Sequence, residues 1–165
     1  MGNIVNEKQP VSRILSTGQA LSRLQQLCSR AEKCIADAQK KLQDWKIPAN
    51  EIPAVIKKLQ AQGFIDEARY AKAFVRDKNG LSHWGTVKIK QALQTKKIPA
   101  ALISEALQEI NREKYKNGLA QLLQRKKAAL KAASPAERTA KLLRFALGRG
   151  YEYDIAQEEI KRLGD

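Results

Sequence analysis

The chain has 165 residues, of which 5% are aromatic, and carries 31 Lys and Arg against 17 Asp and Glu, giving a net charge of +14 and a pI near 9.9. That length holds one ordinary domain or a few small units, and the positive field favours polyanions: nucleic acid, an acidic partner or an anionic membrane surface. No apolar run reaches the roughly 18 residues a helix needs to cross a bilayer, which excludes a helical membrane span.

The opening residues MGNIVNEKQP lack the basic-then-apolar layout of a secretion signal. Residues 1–16 read as a flexible N-terminal tail, and a cytoplasmic location is expected. From Thr17 onward the pattern is helical. The first unit, 17–64, is predicted to hold helices over 18–29, 31–45 and 49–62, ended by Gly63 in the left-handed stop that helices favour. The second, 65–111, opens with Asp66 as the cap of a helix over 67–78. A loop from Gly80 to Gly85 follows, then helices over 86–97 and 100–111. The third, 112–165, starts with a longer helix over 112–130, whose inner stripe is Tyr115, Leu119, Leu122 and Leu123. Lys126 also falls on that stripe, so either its stem snorkels or the helix ends sooner. Ser134-Pro135-Ala136-Glu137 has the form of a capping box with proline at the first helical position, and predicts a helix over 135–148. A last helix is expected over 153–163.

A repeat underlies this order. Ile47, Ile98 and Tyr151 are 51 and 53 residues apart. Leu42, Leu93 and Ala146 stand five residues before them, and Ile56, Leu107 and Ile160 nine after. KKLQDWKIP at 40–48 echoes QALQTKKIP at 91–99. Such a period signals stacked helical units, each too small to bury its apolar face alone. The fold expected is all-α: three tandem three-helix repeats, helix-turn-helix-like, in an elongated, curved array. Before the anchors stand Lys46 and Lys97 where the third unit has Gly150. Lysine there suggests a looser or differently capped turn, with Pro48 and Pro99 enforcing the stop.

Residues 111–149 hold eleven Lys and Arg against Glu113 and Glu137, so intrahelical pairing cannot account for the run. Its densest parts are Arg125-Lys126-Lys127 and the set Arg138, Lys141 and Arg144, with Arg149 at its end. Arg69, Lys72 and Arg76 line one side of the 67–78 helix, where Asp66 and Asp77 could pair with some of them. Lys90 and Lys97 are neighbours at i, i+7. These twelve cations are the candidate partner- or DNA-binding residues. Trp45, Trp84, Phe145 and Tyr151 sit near helix ends and read as packing residues, with no interleaved aromatic–basic platform evident. Cys28 and Cys34, six apart, fit neither a zinc-site spacing nor a redox C-x-x-C, and two half-buried thiols are expected. His83 is the single histidine. No Walker-type loop, G-x-G-x-x-G or H-E-x-x-H occurs, so neither an enzyme nor a cofactor or metal requirement is expected.

The stretch GFIDEARYAKAFVRDKNGLSHWGTVKIKQALQTKKI at 63–98 resembles the RecX family of bacterial regulatory proteins. The similarity lies in Gly63-Phe64-Ile65-Asp66, Arg69-Tyr70-Ala71, Phe74-Val75, Trp84-Gly85 and the Ile89/Leu93 pair. Lys141-Leu142-Leu143-Arg144-Phe145 and Arg149-Gly150-Tyr151 extend it into the third unit, while the first unit matches least. The resemblance implies a non-enzymatic regulator, without cofactor, that binds the RecA–DNA filament and lowers recombinase activity. The expected partners are the RecA filament and, weakly and without sequence preference, single- and double-stranded DNA; a monomer with no membrane partner is expected. The alternative is a helix-turn-helix-like nucleic-acid-binding protein without a recombinase target.

Overall fold

The computed structural model describes residues 15–164. Among them are nine helices and no strand: α1 (Thr17–Arg30), α2 (Ile35–Asp44), α3 (Ile52–Ala61), α4 (Glu67–Gly80), α5 (Thr86–Thr95), α6 (Ala100–Gln108), α7 (Arg112–Ala129), α8 (Pro135–Gly148) and α9 (Tyr153–Arg162). The described residues divide into two compact units, the first ending at Ile65 and the second beginning at Asp66. The predicted tail lies outside the described residues, apart from Leu15 and Ser16. Leu15 packs on the first unit's core, and Ser16 caps α1 in a reciprocal capping box with Gln19.

In the first unit α1 and α2 both pack on α3 around Leu24, Ala38, Leu42, Ile47, Val55 and Leu59. Three predicted boundaries are corrected: α3 begins at Ile52 rather than at residue 49, α6 ends at Gln108 rather than at 111, and the largest shift opens α2. The second helix begins at Ile35, not at residue 31, because Ala31 is extended (φ −161°, ψ 144°) and Cys34, wholly buried, serves as N-cap. The reading of two half-buried thiols therefore holds for Cys28 alone, and no disulfide joins the pair.

The second unit holds two more three-helix groups: α4, α5 and α6 in mutual contact, then α7, α8 and α9 likewise. Tyr70, Ala71, Val75, Ile89, Leu93 and Ile103 are buried in the former, Tyr115, Leu119, Leu123, Leu142, Ala146 and Ile155 in the latter. Asp66 accepts the Arg69 amide at 2.9 Å, the expected cap. Ser134 accepts the Glu137 amide, but the Glu137 carboxylate reaches the Ala133 amide rather than Ser134, so the capping box is displaced by one residue. Helix α7 does run to Ala129, and Lys126 snorkels, laying its ammonium 5.3 Å from the Phe145 ring centroid.

The repeat is visible as one turn made three times. After α2, α5 and α8 the amides of Ile47, Ile98 and Tyr151 reach back to the carbonyls of Leu42, Leu93 and Ala146 at 3.0–3.1 Å. This is the six-to-one closure of a Schellman stop, which requires a left-handed residue just before the anchor. Lys46 (φ 61°) and Lys97 (φ 60°) supply it as Gly150 (φ 86°) does. The lysine turns are therefore neither looser nor differently capped, and the closures bury all three anchors.

Candidate functional site

Helix α5 begins without a capping side chain, since its N-cap is Gly85. A helix N-terminus leaves amides that need acceptors, and here the third repeat provides them. The Gly85 amide donates to the Arg149 carbonyl (2.8 Å) and that of Val87 to the Gly150 carbonyl (3.0 Å). The Thr86 amide donates to the Tyr115 hydroxyl at 3.1 Å. That hydroxyl in turn donates to Glu152 at 2.6 Å, and the other carboxylate oxygen accepts from the Thr86 hydroxyl at 2.7 Å. The two backbones meet with no room for side chains. A β-carbon on Gly85 would lie 2.1 Å from the Gly150 carbonyl carbon, and one on Gly150 2.2 Å from the Lys88 β-carbon. Repeats two and three are thus joined by a glycine–glycine seam.

Burial dominates the chemistry of the adjoining tyrosines. It pushes the Tyr115 phenol well above its ordinary range, with the Glu152 carboxylate adding to the shift. Tyr151, whose ring lies 4.9 Å from that of Tyr115, is pushed up to about 12, again chiefly by burial. Both are neutral at physiological pH and act as packing and hydrogen-bonding groups.

The predicted cations fall into four environments. Some are neutralised. Lys72 sits 2.9 Å from both Glu105 and Glu109, rather than pairing with Asp66 or Asp77, and those carboxylates hold its ammonium above the usual lysine range. Lys141 pairs with Glu137 at 2.7 Å and donates to the Lys131 carbonyl, lowering the Glu137 carboxyl, an effect to which the Ala133 amide adds. Outside the candidate set, Lys116 pairs with Glu158 and depresses it likewise. Others serve backbone: Lys127 donates to the Gly164 carbonyl at 2.6 Å, and Arg125, though exposed, reaches the Gln121 carbonyl at 3.3 Å. Arg144, Lys90 and Lys97 are exposed, and Arg69 is exposed beside its cap. Arg76 rims a cavity of about 480 Å³ with His83 and Lys114, and Arg138 lines a groove with Lys161. The structure therefore scatters the twelve over several faces.

The fourth environment, beside aromatic rings, corrects the sequence reading of the aromatics. Trp84, held by its amide on the Lys78 carbonyl (2.9 Å) and its carbonyl on Asn79 (3.1 Å), has two ammonium groups close to its ring. Lys78 and Lys88 approach its centroid at 5.1 and 4.3 Å. Phe145 likewise carries Lys126 at 5.3 Å and Arg149 at 5.8 Å. The two clusters meet at the seam, where the Arg149 guanidinium reaches the Ser82 carbonyl at 3.5 Å. An interleaved aromatic–basic arrangement exists after all. Lys78, Lys88 and Trp84 stand outside the twelve candidates: the Lys78–Trp84 pairing depends on the 81–85 loop, while the i, i+4 spacings of Trp84/Lys88 and Phe145/Arg149 were the available signal.

Small helical repeats whose packing, rather than a pocket, organises surface charge define a binding or regulatory protein. Comparison with known proteins agrees and is specific. Residues 66–107 match the model of the second three-helix domain of RecX, and residues 117–160 that of the third. The chain is 32% identical over 115 residues to regulatory protein RecX of Leptothrix cholodnii, covering 70% of this chain and 69% of that one. It is 33% identical to regulatory protein RecX of Clostridium botulinum strain Eklund 17B, covering 68% of this chain and 53% of that one. It thus spans about half the length of several curated relatives that it matches. A crystal structure of a regulatory protein RecX superposes with a TM-score of 0.79 at 25% identity, covering 88% of this chain and 71% of that one. RecX from Lactobacillus salivarius gives 0.74 at 22% identity, over 88% and 97%, and shares the fold. The chain belongs to the RecX family, a family of regulatory proteins rather than enzymes.

Proposed function

We propose that this protein binds the RecA–DNA filament and lowers recombinase activity, both ATPase and strand exchange, and so regulates DNA repair and recombination. Its partners are the recombinase filament and, weakly and without sequence preference, single- and double-stranded DNA; it acts as a cytoplasmic monomer. The observation that carries the reading is the RecX match across the helices that form the glycine seam. The charge supports it: a basic protein meets a DNA-containing filament faster than a neutral one would, and several weak contacts along repeated subunits add through effective concentration. The exposed candidates Arg69, Arg76, Lys90, Lys97, Arg125 and Arg144 are offered as filament contacts.

Binding to bare and to RecA-coated single-stranded DNA tests the proposal. Tighter binding to the coated strand is expected. A tight, sequence-selective footprint on bare DNA that survives high salt would favour a helix-turn-helix-like DNA-binding protein instead.

A further inference from the structure

The cations of the second unit differ in what holds them, and that difference sorts them by function. A lysine paired with a carboxylate presents almost no net charge to a partner. A lysine held against an aromatic ring keeps its full charge, because the ring contributes a quadrupole and no net charge. Lys72, Lys116 and Lys141 are of the first kind. Lys78, Lys88, Lys126 and Arg149 are of the second, and none has a carboxylate partner among the described residues.

Arg149 is incompletely satisfied by the protein itself. Its Nε is buried without a hydrogen-bond partner, and the guanidinium's bond to the Ser82 carbonyl is long at 3.5 Å. Nε is enclosed, so the guanidinium draws an anion through its unneutralised charge rather than through that donor. The seam fixes the spacing of the set, because the Gly85 amide is bonded to the carbonyl of Arg149 itself.

We propose that Lys78, Lys88, Arg149 and Lys126, held on Trp84 and Phe145 across the seam of repeats two and three, form a track for the phosphodiester backbone of a polynucleotide. This deepens the proposed function, on which the choice of polyanion rests. The rings serve here to position charge, each holding two cations near its centroid. Binding through this track is therefore blind to sequence. Successive full charges spread over two repeats suit a line of phosphates better than the isolated carboxylates of an acidic protein segment.

The test compares wild type with Lys78→Gln/Lys88→Gln, with Trp84→Leu, and with Lys57→Gln/Lys58→Gln, a charge-matched control on exposed positions of α3. Oligo(dT) binding is followed against salt, and RecA ATPase inhibition is measured in parallel. Each phosphate contact on a single strand contributes about 0.7 to the slope of log affinity against log salt, so the Lys78/Lys88 variant should lose about 1.4 of that slope. The control should keep the wild-type slope. Trp84→Leu keeps both charges but releases them, and should weaken binding several-fold with a smaller change in slope. A Lys78/Lys88 variant with wild-type DNA binding but lost inhibition would overturn the track and make the strip a docking site for an acidic protein segment. Wild-type behaviour in both assays would place the phosphate contacts elsewhere. A wild-type protein that binds oligo(dT) through the track yet never inhibits RecA would leave the track standing and overturn the proposed function.

Discussion

The turns at Lys97 and Gly150 share a backbone and differ in what surrounds them. Both close a helix through a left-handed residue and a six-to-one hydrogen bond, and both bury the anchor that follows. Lys97 is exposed, whereas Gly150 is buried with the Lys88 backbone against it. Left-handed backbone costs a non-glycine residue on the order of 1 kcal/mol, and the lysines at 46 and 97 show that the fold absorbs it. Glycine at 150 is therefore required by the approach of another repeat, with φ a secondary reason. A glycine in a repeat marks a conformational need in one copy and an interface in another, and the neighbouring backbone decides which.

Breaking the seam should have the largest effect. Gly150→Ala combines left-handed strain with a β-carbon driven into Lys88, and Gly85→Ala drives one into the Gly150 carbonyl. Each should lower stability by about 2–4 kcal/mol in denaturant unfolding of the second unit. Tryptophan fluorescence can localise the loss, since Trp45 lies in the first unit and Trp84 in the second. In a Trp45→Phe background the Trp84 signal should shift to lower denaturant; in a Trp84→Phe background the Trp45 signal should not.

Removing the polar lock beside the glycines should cost less. Glu152→Ala leaves the Tyr115 and Thr86 hydroxyls without their acceptor, and a loss of about 1–3 kcal/mol is expected in the same experiment. Alkali probes that lock from the other side. The phenols of Tyr115 and Tyr151 titrate higher in the folded protein than their ordinary value of 10.0. Their contribution is fully present below pH 10 and is lost as pH rises through the folded values, to about 12 for Tyr151 and higher for Tyr115. Rising alkali should thus destabilise the second unit through these groups, while the first unit, which has no tyrosine, lacks this dependence. Parallel pH series on the two single-tryptophan proteins check it.

The smallest effect sharpens the comparison. Lys97→Gly relieves left-handed strain but adds freedom to the unfolded chain, so stability should change by less than about 1 kcal/mol. A loss as large as that of Gly150→Ala would show that the two turns do not differ as described.

Most of the fold was legible because it rests on local signals. The apolar period aligned Ile47, Ile98 and Tyr151 in one buried position, and Asp66 and Ser134 announced helix starts through side chains that accept nearby amides. The start of α2 was hidden because AEKC at 31–34 favours helix locally, whereas burial of Cys34 sets the backbone there. The site was hidden for a related reason. Gly85 looks like a poor cap until the carbonyls of Arg149 and Gly150 arrive from a distant turn. Charge density pointed to Arg125, Lys126, Lys127 and Lys141, but density cannot tell a lysine cancelled by Glu137 from one kept whole on Phe145. That distinction needs the acids and rings that the fold brings close.

The most direct test of the account is RecA ATPase on single-stranded DNA with this protein titrated in. Hydrolysis should fall at substoichiometric protein under conditions where filaments form. Unchanged hydrolysis at equimolar protein would contradict it.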